Sequence, residues 1–233
     1  MRPVRAHRIV GIIGGMGPEA TVDLMRRVIA KTPAKDDQDH IHLLVESNPK
    51  IPSRTAHLIE ESGPDPTPEL VRIAENLEKA GADALAMPCN TAHAYATAIR
   101  RAVSIPFIDM IAITVAEVAQ ELPARVGLLA SSAVLKTKIF EDAFAAEGIK
   151  TVPPKDQAAV MRLIKGVKQG ATGDAERRTL SLLAKDLAGE VDALVVACSE
   201  LSVIADHIVA PFTDSVEVLA NHIVHFAGVE IKR

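Results

Sequence analysis

The sequence predicts an α/β protein of two similar three-layer subdomains with parallel sheets, related by a pseudo-twofold axis, with the candidate active site in the cleft between them. Two observations lead to this prediction. Short apolar runs alternate with segments of helical periodicity along the chain, which is typical of parallel sheets covered by helices on both faces. In addition, three short motifs of the first half recur in the same order in the second half.

Each recurring motif includes a strand-like run, and the copies lie 105 to 116 residues apart. The pairs are VGIIGG at 10–15 with VGLLAS at 126–131, DALAMPC at 83–89 with DALVVAC at 192–198, and PFID at 106–109 with PFTD at 211–214. This offset is the length of a domain rather than of a solenoid repeat. We therefore predict a duplicated β/α unit, with a first domain over 1–113 plus 213–233 and a second over 114–212.

The first half is predicted to begin with a strand, a glycine-rich loop and a helix. The strand covers residues 7–13, and apolar residues from residue 20 onward recur with the period of one helical face. Pro18 suits the first turn of that helix, where its missing N–H would have no partner. Further strands are predicted at 41–45, 83–87 and 105–110, and further helices at 68–80, 91–103 and 111–121.

The second half is predicted to repeat this alternation of strands and helices. Its strand-like runs lie at 126–131, 149–152, 192–198 and 211–214, and its helices at 134–147, 158–168, 174–187 and 216–227. Ligands of such folds bind at the carboxyl ends of the strands. Both cysteines, both small-residue loops and Arg54 follow predicted strand ends, so we expect them at one cleft.

Composition argues against several classes of partner. The net charge of −4 gives no reason to expect nucleic acid or an anionic membrane. No apolar run reaches the ~18 residues that a membrane span needs. Aromatic residues make up only 3%, so platforms for stacking bases are not expected. The basic N-terminal residues precede an apolar run too short for a signal peptide, so we expect a cytoplasmic protein.

The chain contains two cysteines, Cys89 and Cys198, and each closes a predicted strand. A single cysteine at such a place is ordinarily a small buried apolar residue. In a reducing cytoplasm, two thiols are more often core residues or catalytic groups than a disulfide. Matching positions in two repeats favour a functional pair. Racemising an amino acid needs a proton removed from one face of Cα and another delivered to the opposite face, which a thiolate and a thiol can do.

Each cysteine also lies at a predicted junction between strand and helix. A helix N-terminus stabilises a thiolate, so a lowered thiol pKa is expected there. The backbone N–H groups of the same junctions can bind substrate carboxylates. The side chains of Asn90, Thr91 and Ser199 can add hydrogen bonds.

Several motifs resemble those of the aspartate/glutamate racemase family, and within it most of all the microbial aspartate racemases. They are GGMGP at 14–18, NP at 48–49, IPSRT at 51–55, MPCNTAH at 87–93 and CSE at 198–200. The likeness extends from about Ile9 to the final helix, and the PCNTAH and GGMGP strings are its specific signals.

The resemblance implies a two-domain α/β enzyme that uses neither pyridoxal phosphate nor a metal and is usually a homodimer. Its substrate would be a small dicarboxylic amino acid. The family's two cysteines are the acid/base pair, which assigns that role to Cys89 and Cys198. For the other residues it implies that Arg54 and Lys168 hold substrate carboxylates, that Asn90 and Thr91 bind the α-carboxylate, and that Met16 lies in the loop lining the pocket.

The chain departs from the family pattern at two places that touch the site as the family builds it. Ala-Cys-Ser-Glu stands at 197–200, where Gly-Cys-Thr-Glu is usual. The loop at 130–134, with Ser131 and Ser132, has Ser, Ala and Val at 132–134, where Thr and Gly are usual. Because Ser199 keeps the hydroxyl that Thr supplies, we expect these departures to affect substrate choice more than reaction type.

Glu200 and His93 each leave two interpretations. Glu200 is either an acid in the first turn of a helix or the partner of the substrate ammonium. His93 lies four residues after Cys89, on the same predicted helical face. No third ligand of suitable spacing follows, so no metal site is predicted, and a structural or thiol-orienting role is expected for His93.

A rival of another class is an NAD-binding oxidoreductase. Residues 15–20 fit a relaxed GxGxxA fingerprint, but Glu19 would lie beside the pyrophosphate. The acid expected ~20 residues farther on is also poorly placed, since Glu46 lies 26 residues beyond Ala20. An NAD-binding oxidoreductase would also leave the matching positions of the two cysteines unexplained.

Three further hypotheses keep the fold: a glutamate or broader-specificity racemase, a cysteine-dependent isomerase of the maleate or hydantoin type, and a non-catalytic binding protein. Two cysteines favour racemisation or isomerisation over one-cysteine decarboxylation. Two candidate cations, Arg54 and Lys168, favour a dicarboxylate over a hydantoin. The sequence therefore predicts the interconversion of L- and D-aspartate.

Overall fold

A computed structural model describes residues 7–231, and the predicted basic segment at 1–6 lies outside that range. Two parallel four-stranded sheets form the centre of the molecule. The first contains β1 (Val10–Gly14), β2 (Leu43–Ser47), β3 (Ala84–Ala86) and β4 (Phe107–Ile108), and the second contains β5 (Arg125–Ala130), β6 (Lys150–Val152), β7 (Ala193–Ala197) and β8 (Thr213–Asp214). Their strand orders, β2-β1-β3-β4 and β6-β5-β7-β8, are the same. This confirms the predicted α/β fold of two similar subdomains.

Helices connect the strands and cover both sheets. They are α1 (Pro18–Lys31), α2 (Arg54–Leu58), α3 (Thr67–Lys79), α4 (Ala96–Ala102), α5 (Met110–Ala119), α6 (Ser132–Thr137), α7 (Ile139–Ala146), α8 (Gln157–Lys168), α9 (Asp174–Ala188), α10 (Ser199–Ser202) and α11 (Ser215–Phe226). Short 3₁₀ turns occur at Asp37–Asp39, Thr91–Tyr95 and Ala205–His207. Among the described residues, none of the helices has the length and apolarity that a membrane crossing requires.

The two central strands send successive side chains to opposite cores, as the pleat of a strand requires. In β1, Ile13 packs with α3 and α4, whereas Ile12 packs with α1 and α11. In β5, Leu129 packs with α8 and α9, whereas Leu128 packs with α5 and α7. Each sheet is therefore the middle of three layers, as the recurring apolar runs predict.

The chain passes between the subdomains at α5 and between β8 and α11. Met110 packs in the first subdomain, and Val115 packs in the second. β8 pairs with β7 of the second sheet, whereas α11 packs on the first. The boundary predicted after residue 113 falls within α5, and the one predicted after residue 212 falls just before β8, two residues ahead of the second passage. The division into domains stays a prediction.

Several helices differ from the predicted ones because of local backbone and capping. The predicted helix at 134–147 is two helices, because Lys138 adopts a left-handed conformation with a φ of 56°. The predicted helix at 91–103 starts with a 3₁₀ turn. Arg54, predicted in a loop, begins α2, where the Ser53 hydroxyl accepts a hydrogen bond from the Ala56 N–H at 3.2 Å.

Gly11 and Gly127 hold matching places in the two central strands, where other elements approach closely. A Cβ added to Gly127 would lie 2.7 Å from Cγ of Leu187 on α9. A Cβ added to Gly11 would lie 2.9 Å from Cδ2 of Leu85 and 3.1 Å from Cβ of Leu77 on α3. These distances to the leucine side chains are shorter than van der Waals contact. A glycine at each of the two positions therefore lets a leucine of a neighbouring helix or strand pack directly against the central strand.

A buried network around Arg27 joins the subdomains. Its Nε donates to Asp23 at 2.7 Å, and its Nη1 donates to Asp214 at 2.7 Å and to Glu217 at 3.1 Å. Its Nη2 donates to the carbonyl of Ser202 at 3.0 Å. Only 19% of the Arg27 side chain and 6% of the Asp214 side chain are exposed, so the Asp214 carboxylate depends on Arg27 for its counter-charge.

We expect Gly127→Ala to lower the free energy of unfolding by about 1–3 kcal/mol, because the added methyl group overlaps Leu187. Denaturant unfolding would measure the loss. Gly166→Ala is the control, since a Cβ there lies 3.6 Å from the nearest atom of Ala171 and alanine favours the helix. Equal losses in the two variants would contradict the packing argument.

We expect Arg27→Met to cost about 3 kcal/mol of unfolding free energy, because it leaves the buried Asp214 carboxylate without its cation. The same unfolding measurement applies. Arg26→Met is the matched control: its side chain is 65% exposed and lies 3.6 Å from Asp23, so a change within about 0.5 kcal/mol is expected. A loss for Arg27→Met no larger than that of the control would show that the network does not hold the subdomains together.

Candidate active site

The two cysteines occupy equivalent positions in the two subdomains. Cys198 directly follows β7, and α10 begins at the next residue. Cys89 follows β3 and precedes the 3₁₀ turn Thr91–Tyr95. Both are free thiols, with exposures of 6% for Cys89 and 5% for Cys198. Each thiol therefore lies at the carboxyl end of the third strand in its sheet, as the duplicated motifs predict.

The loop that carries Cys89 meets the loop after β5 of the second subdomain across the cleft. Oγ1 of Thr91, in the first subdomain, lies 3.2 Å from Oγ of Ser131, in the second. Oε2 of Glu200 accepts a hydrogen bond from Sγ of Cys198 at 3.3 Å. The same carboxylate is close enough to Cys89 to raise its thiol pKa. Glu200 is therefore a neighbour of both thiols.

A cavity of about 490 Å³ opens between the subdomains beside Glu200. The first subdomain lines it with Gly15, Gly17, Pro18, Glu19, Ala20, Pro49 and Arg54, and the second with Val167, Lys168, Gly170, Thr172 and Glu200. This volume suits a small molecule. A larger cavity of about 690 Å³ lies on the second subdomain alone, near α6 and α7, and neither cysteine lines either cavity. The smaller cavity is favoured as the site because three charged residues that line it, Arg54, Lys168 and Glu200, act on the thiol pKa of Cys89.

The glycine loop can line this cavity because it packs directly on the backbone after β2. Gly15 has a φ of 93°, and a Cβ there would lie 2.4 Å from the carbonyl carbon of Asn48. Met16, predicted to lie in the lining loop, is 3% exposed and packs in the same core as Cys89. The loop's backbone faces the cavity, while the Met16 side chain supports the loop from behind.

Burial raises the pKa of both thiols. For Cys198, the Glu200 carboxylate adds to the effect of burial, and backbone N–H groups of residues 200 and 201 oppose it. For Cys89, burial is opposed first by the Arg54 cation, while Glu200 raises the pKa further. The sequence prediction of lowered thiol pKa values is wrong for this structure. The helix-end N–H groups act in the predicted direction, but removal from water outweighs them.

Two cations border the cavity, and among the described residues only Lys168 has a carboxylate partner within reach. Nη1 of Arg54 donates to the carbonyls of Ile51 at 3.3 Å and Pro52 at 3.0 Å, which fix the guanidinium. Its Nε is buried and has no hydrogen-bond partner within the described chain. Nζ of Lys168 lies 3.7 Å from Oε1 of Glu200. A carboxylate-bearing ligand would give both cations a partner.

The other predicted site residues mostly hold the loops in place. Nδ2 of Asn90 donates to Oγ of Ser215 at 3.2 Å, and Oδ1 of Asn90 is buried without a partner in the described range. Oγ of Ser131 caps α6 by accepting from the Val134 N–H at 3.2 Å. Oγ of Ser132 accepts from Gln157 at 3.3 Å, and Ser199 is buried at the start of α10.

His93 supports the Cys89 loop from below. Its Nδ1 lies 2.9 Å from the carbonyl of Cys89, and its Nε2 accepts from the Met110 N–H at 3.1 Å. These contacts require the neutral tautomer with the proton on Nδ1. Burial lowers the pKa of His93, which favours that neutral form. Within residues 7–231 no cluster of three potential metal ligands occurs.

A pair of side chains that the sequence did not predict, His57 and Tyr95, lies beside Cys89. Nδ1 of His57 lies 2.8 Å from the hydroxyl of Tyr95. Burial raises the pKa of Tyr95 to about 12, and both Arg54 and Cys89 act on it electrostatically. The pair comes from α2 and the 3₁₀ turn, 38 residues apart, and no local motif marks it.

Comparison with known proteins identifies the family. A family model described as Asp/Glu/Hydantoin racemase matches residues 13–223. The chain is 29% identical to the broad specificity amino-acid racemase RacX of Bacillus subtilis (strain 168) over 220 residues, which cover 91% of this chain and 95% of that one.

Solved structures show the same architecture. A Picrophilus torridus aspartate racemase is 34% identical, with a TM-score of 0.89 over 97% of this chain and 96% of that one. The fold also matches a glutamate racemase from Francisella tularensis subsp. tularensis SCHU S4, solved with D-glutamate, at 17% identity and a TM-score of 0.65 over 94% of this chain and 80% of that one. Because the family model spans both subdomains and the aspartate racemase structure matches nearly the whole chain, this protein belongs to the Asp/Glu/hydantoin racemase family.

Proposed function

We propose that the protein interconverts L- and D-aspartate without a cofactor, with Cys89 and Cys198 as the two proton-transfer groups. The observation that carries the proposal is the equivalent placement of the two thiols at the carboxyl ends of β3 and β7, with Glu200 as their common neighbour. The 34% identity to an aspartate racemase supports the substrate. The homodimer and the cytoplasmic location stay predictions of the sequence.

The proposed reaction is one exchange of protons at Cα. One thiolate takes the α-proton, forming an S–H bond as the Cα–H bond breaks. The opposite thiol gives its proton to the other face of the resulting carbanion, whose charge is spread into the α-carboxylate. The burial that raises both thiol pKa values also makes each thiolate a stronger base once it forms.

Two cations support a substrate with two carboxylates. Arg54 offers a planar guanidinium suited to bidentate pairing, and its buried Nε lacks a partner among the described residues. Lys168 lines the same cavity from the other subdomain. One cation for the α-carboxylate and one for the side-chain carboxylate would hold aspartate across the cleft.

The likeness to RacX favours a second candidate, an amino-acid racemase of broad specificity. Ser199 is buried and does not line the cavity between the subdomains, and the same holds for Ala133 and Val134, two further residues at which the chain departs from the family pattern. Their effect on the substrate would therefore be exerted through the packing of α6 and α10.

We expect Cys89→Ala and Cys198→Ala each to slow aspartate racemisation by at least ~10³-fold, because each removes one of two obligatory proton carriers. Chiral chromatography in heavy water measures the interconversion, and NMR measures deuterium at Cα. Single Cys→Ser variants should still exchange the α-proton on one face without inversion. Far-UV circular dichroism serves as the folding control, and racemisation by Cys89→Ala at the parent rate would refute the proposal.

We expect Arg54→Gln and Lys168→Gln each to raise KM for aspartate about 10- to 100-fold, because each removes a charged hydrogen-bond donor to a carboxylate. The assay compares L-Asp, D-Asp, L-Glu, D-Glu and L-alanine. Lys165→Gln, an exposed position on α8, is the charge-matched control and should leave KM unchanged. Parent activity on alanine equal to that on aspartate would support the broad-specificity candidate instead.

A further inference from the structure

Glu200 contacts the two thiols in unequal ways. Its Oε2 accepts a hydrogen bond from Sγ of Cys198 at 3.3 Å. Towards Cys89 its charge acts through space, and there the cation of Arg54 opposes it. The charges with the largest effect on the Cys89 pKa are thus those of Arg54, Glu200 and Lys168, whereas the charge with the largest effect on the Cys198 pKa is that of Glu200.

The position of the Glu200 carboxylate is fixed by its surroundings. The residue is 8% exposed and lies in the four-residue helix α10, two positions after Cys198. Its other oxygen, Oε1, faces Nζ of Lys168 at 3.7 Å. With one oxygen near a cation, the other is directed at the thiol.

An ionised carboxylate accepts hydrogen bonds and has none to give. Beside Cys198 it therefore stabilises the protonated thiol and repels the thiolate. Beside Cys89 the cation of Arg54 has the opposite effect on the charge of the sulfur. The two thiols occupy equivalent positions in the two subdomains. The charge that distinguishes their surroundings is nevertheless negative at Cys198, from Glu200, and positive at Cys89, from Arg54.

We propose that Glu200 is a positioning residue that holds the proton on Cys198, so that the free protein starts its cycle with Cys89 as the base and Cys198 as the acid. The proposal rests on the proposed two-thiol function and adds a direction to it. The stronger upward shift of the Cys198 pKa agrees with it.

The proton balance of a full cycle follows. Cys89 takes the α-proton, and Cys198 gives up its own, which leaves a thiol at Cys89 and a thiolate beside Glu200. This form accepts the opposite enantiomer, or it returns to the start when water protonates Cys198 and Cys89 loses its proton to water. Enantiomers have equal free energies, so kcat/KM for aspartate is equal in the two directions. The unequal protonation of Cys89 and Cys198 must therefore be measured on the thiols themselves.

The sequence contains two cysteines, so replacing either one leaves a single thiol that can be measured alone. Cys89→Ser leaves Cys198, and Cys198→Ser leaves Cys89. Thiolate is followed by ultraviolet absorbance against pH and by the rate of alkylation with iodoacetamide. The chain has one tyrosine and no tryptophan, and the pKa of Tyr95 is about 12, so tyrosinate absorbs only at higher pH.

Adding Glu200→Gln to Cys89→Ser should speed alkylation of Cys198 at neutral pH by about tenfold or more, because the isosteric amide lacks the charge. Adding it to Cys198→Ser should speed alkylation of Cys89 by less than about threefold, since Glu200 acts there without a hydrogen bond. Glu200→Asp, which keeps the charge, should keep Cys198 slow to react.

Glu147→Gln is the charge-matched control, because Glu147 is an exposed residue at the end of α7 and does not line the cavity between the subdomains. It should leave both alkylation rates unchanged. Equal acceleration of Cys89 and Cys198 by Glu200→Gln, or no acceleration of Cys198, would overturn the proposal. These rates need no turnover, so a failure of the proposed racemisation, seen in the chiral assay, is distinguishable from a failure of this inference.

Discussion

The guanidinium of Arg27 crosses from α1 to the second subdomain and there meets Asp214 and the carbonyl of Ser202. α1 begins directly after the glycine loop that lines the cavity, and Ser202 ends the short helix that follows Cys198. One buried cation therefore couples both walls of the cleft. Because buried carboxylates without a counter-charge are costly, the two sheets have little freedom to meet in another way.

Burial and charge act separately at the two thiols. Burial affects both alike and raises both pKa values, which makes each sulfur a strong base once it loses its proton. The charged groups near the two thiols differ: the Arg54 cation acts on Cys89, whereas the Glu200 carboxylate accepts a hydrogen bond from Cys198. The fold duplicates the position of the thiol, and the side chains around it distinguish the two copies.

This member of the racemase family has one thiol in each of its two subdomains, Cys89 in the first and Cys198 in the second. The glutamate racemase structure keeps the architecture at 17% identity, so the arrangement of the sheets tolerates extensive change of sequence. In this chain, Ala133 and Val134 are buried and do not line the cavity between the subdomains.

Periodicity and duplication are local patterns, and they were enough to predict the two parallel sheets, the succession of strands and helices, and the equivalent positions of Cys89 and Cys198 in the two subdomains. The direction of the thiol pKa shifts could not be predicted in this way, since burial depends on everything packed around the sulfur. Only the folded chain brings Arg27 to Asp214, 187 residues away, and Asn90 to Ser215, 125 residues away. Such contacts depend on how distant segments pack, which no short motif records.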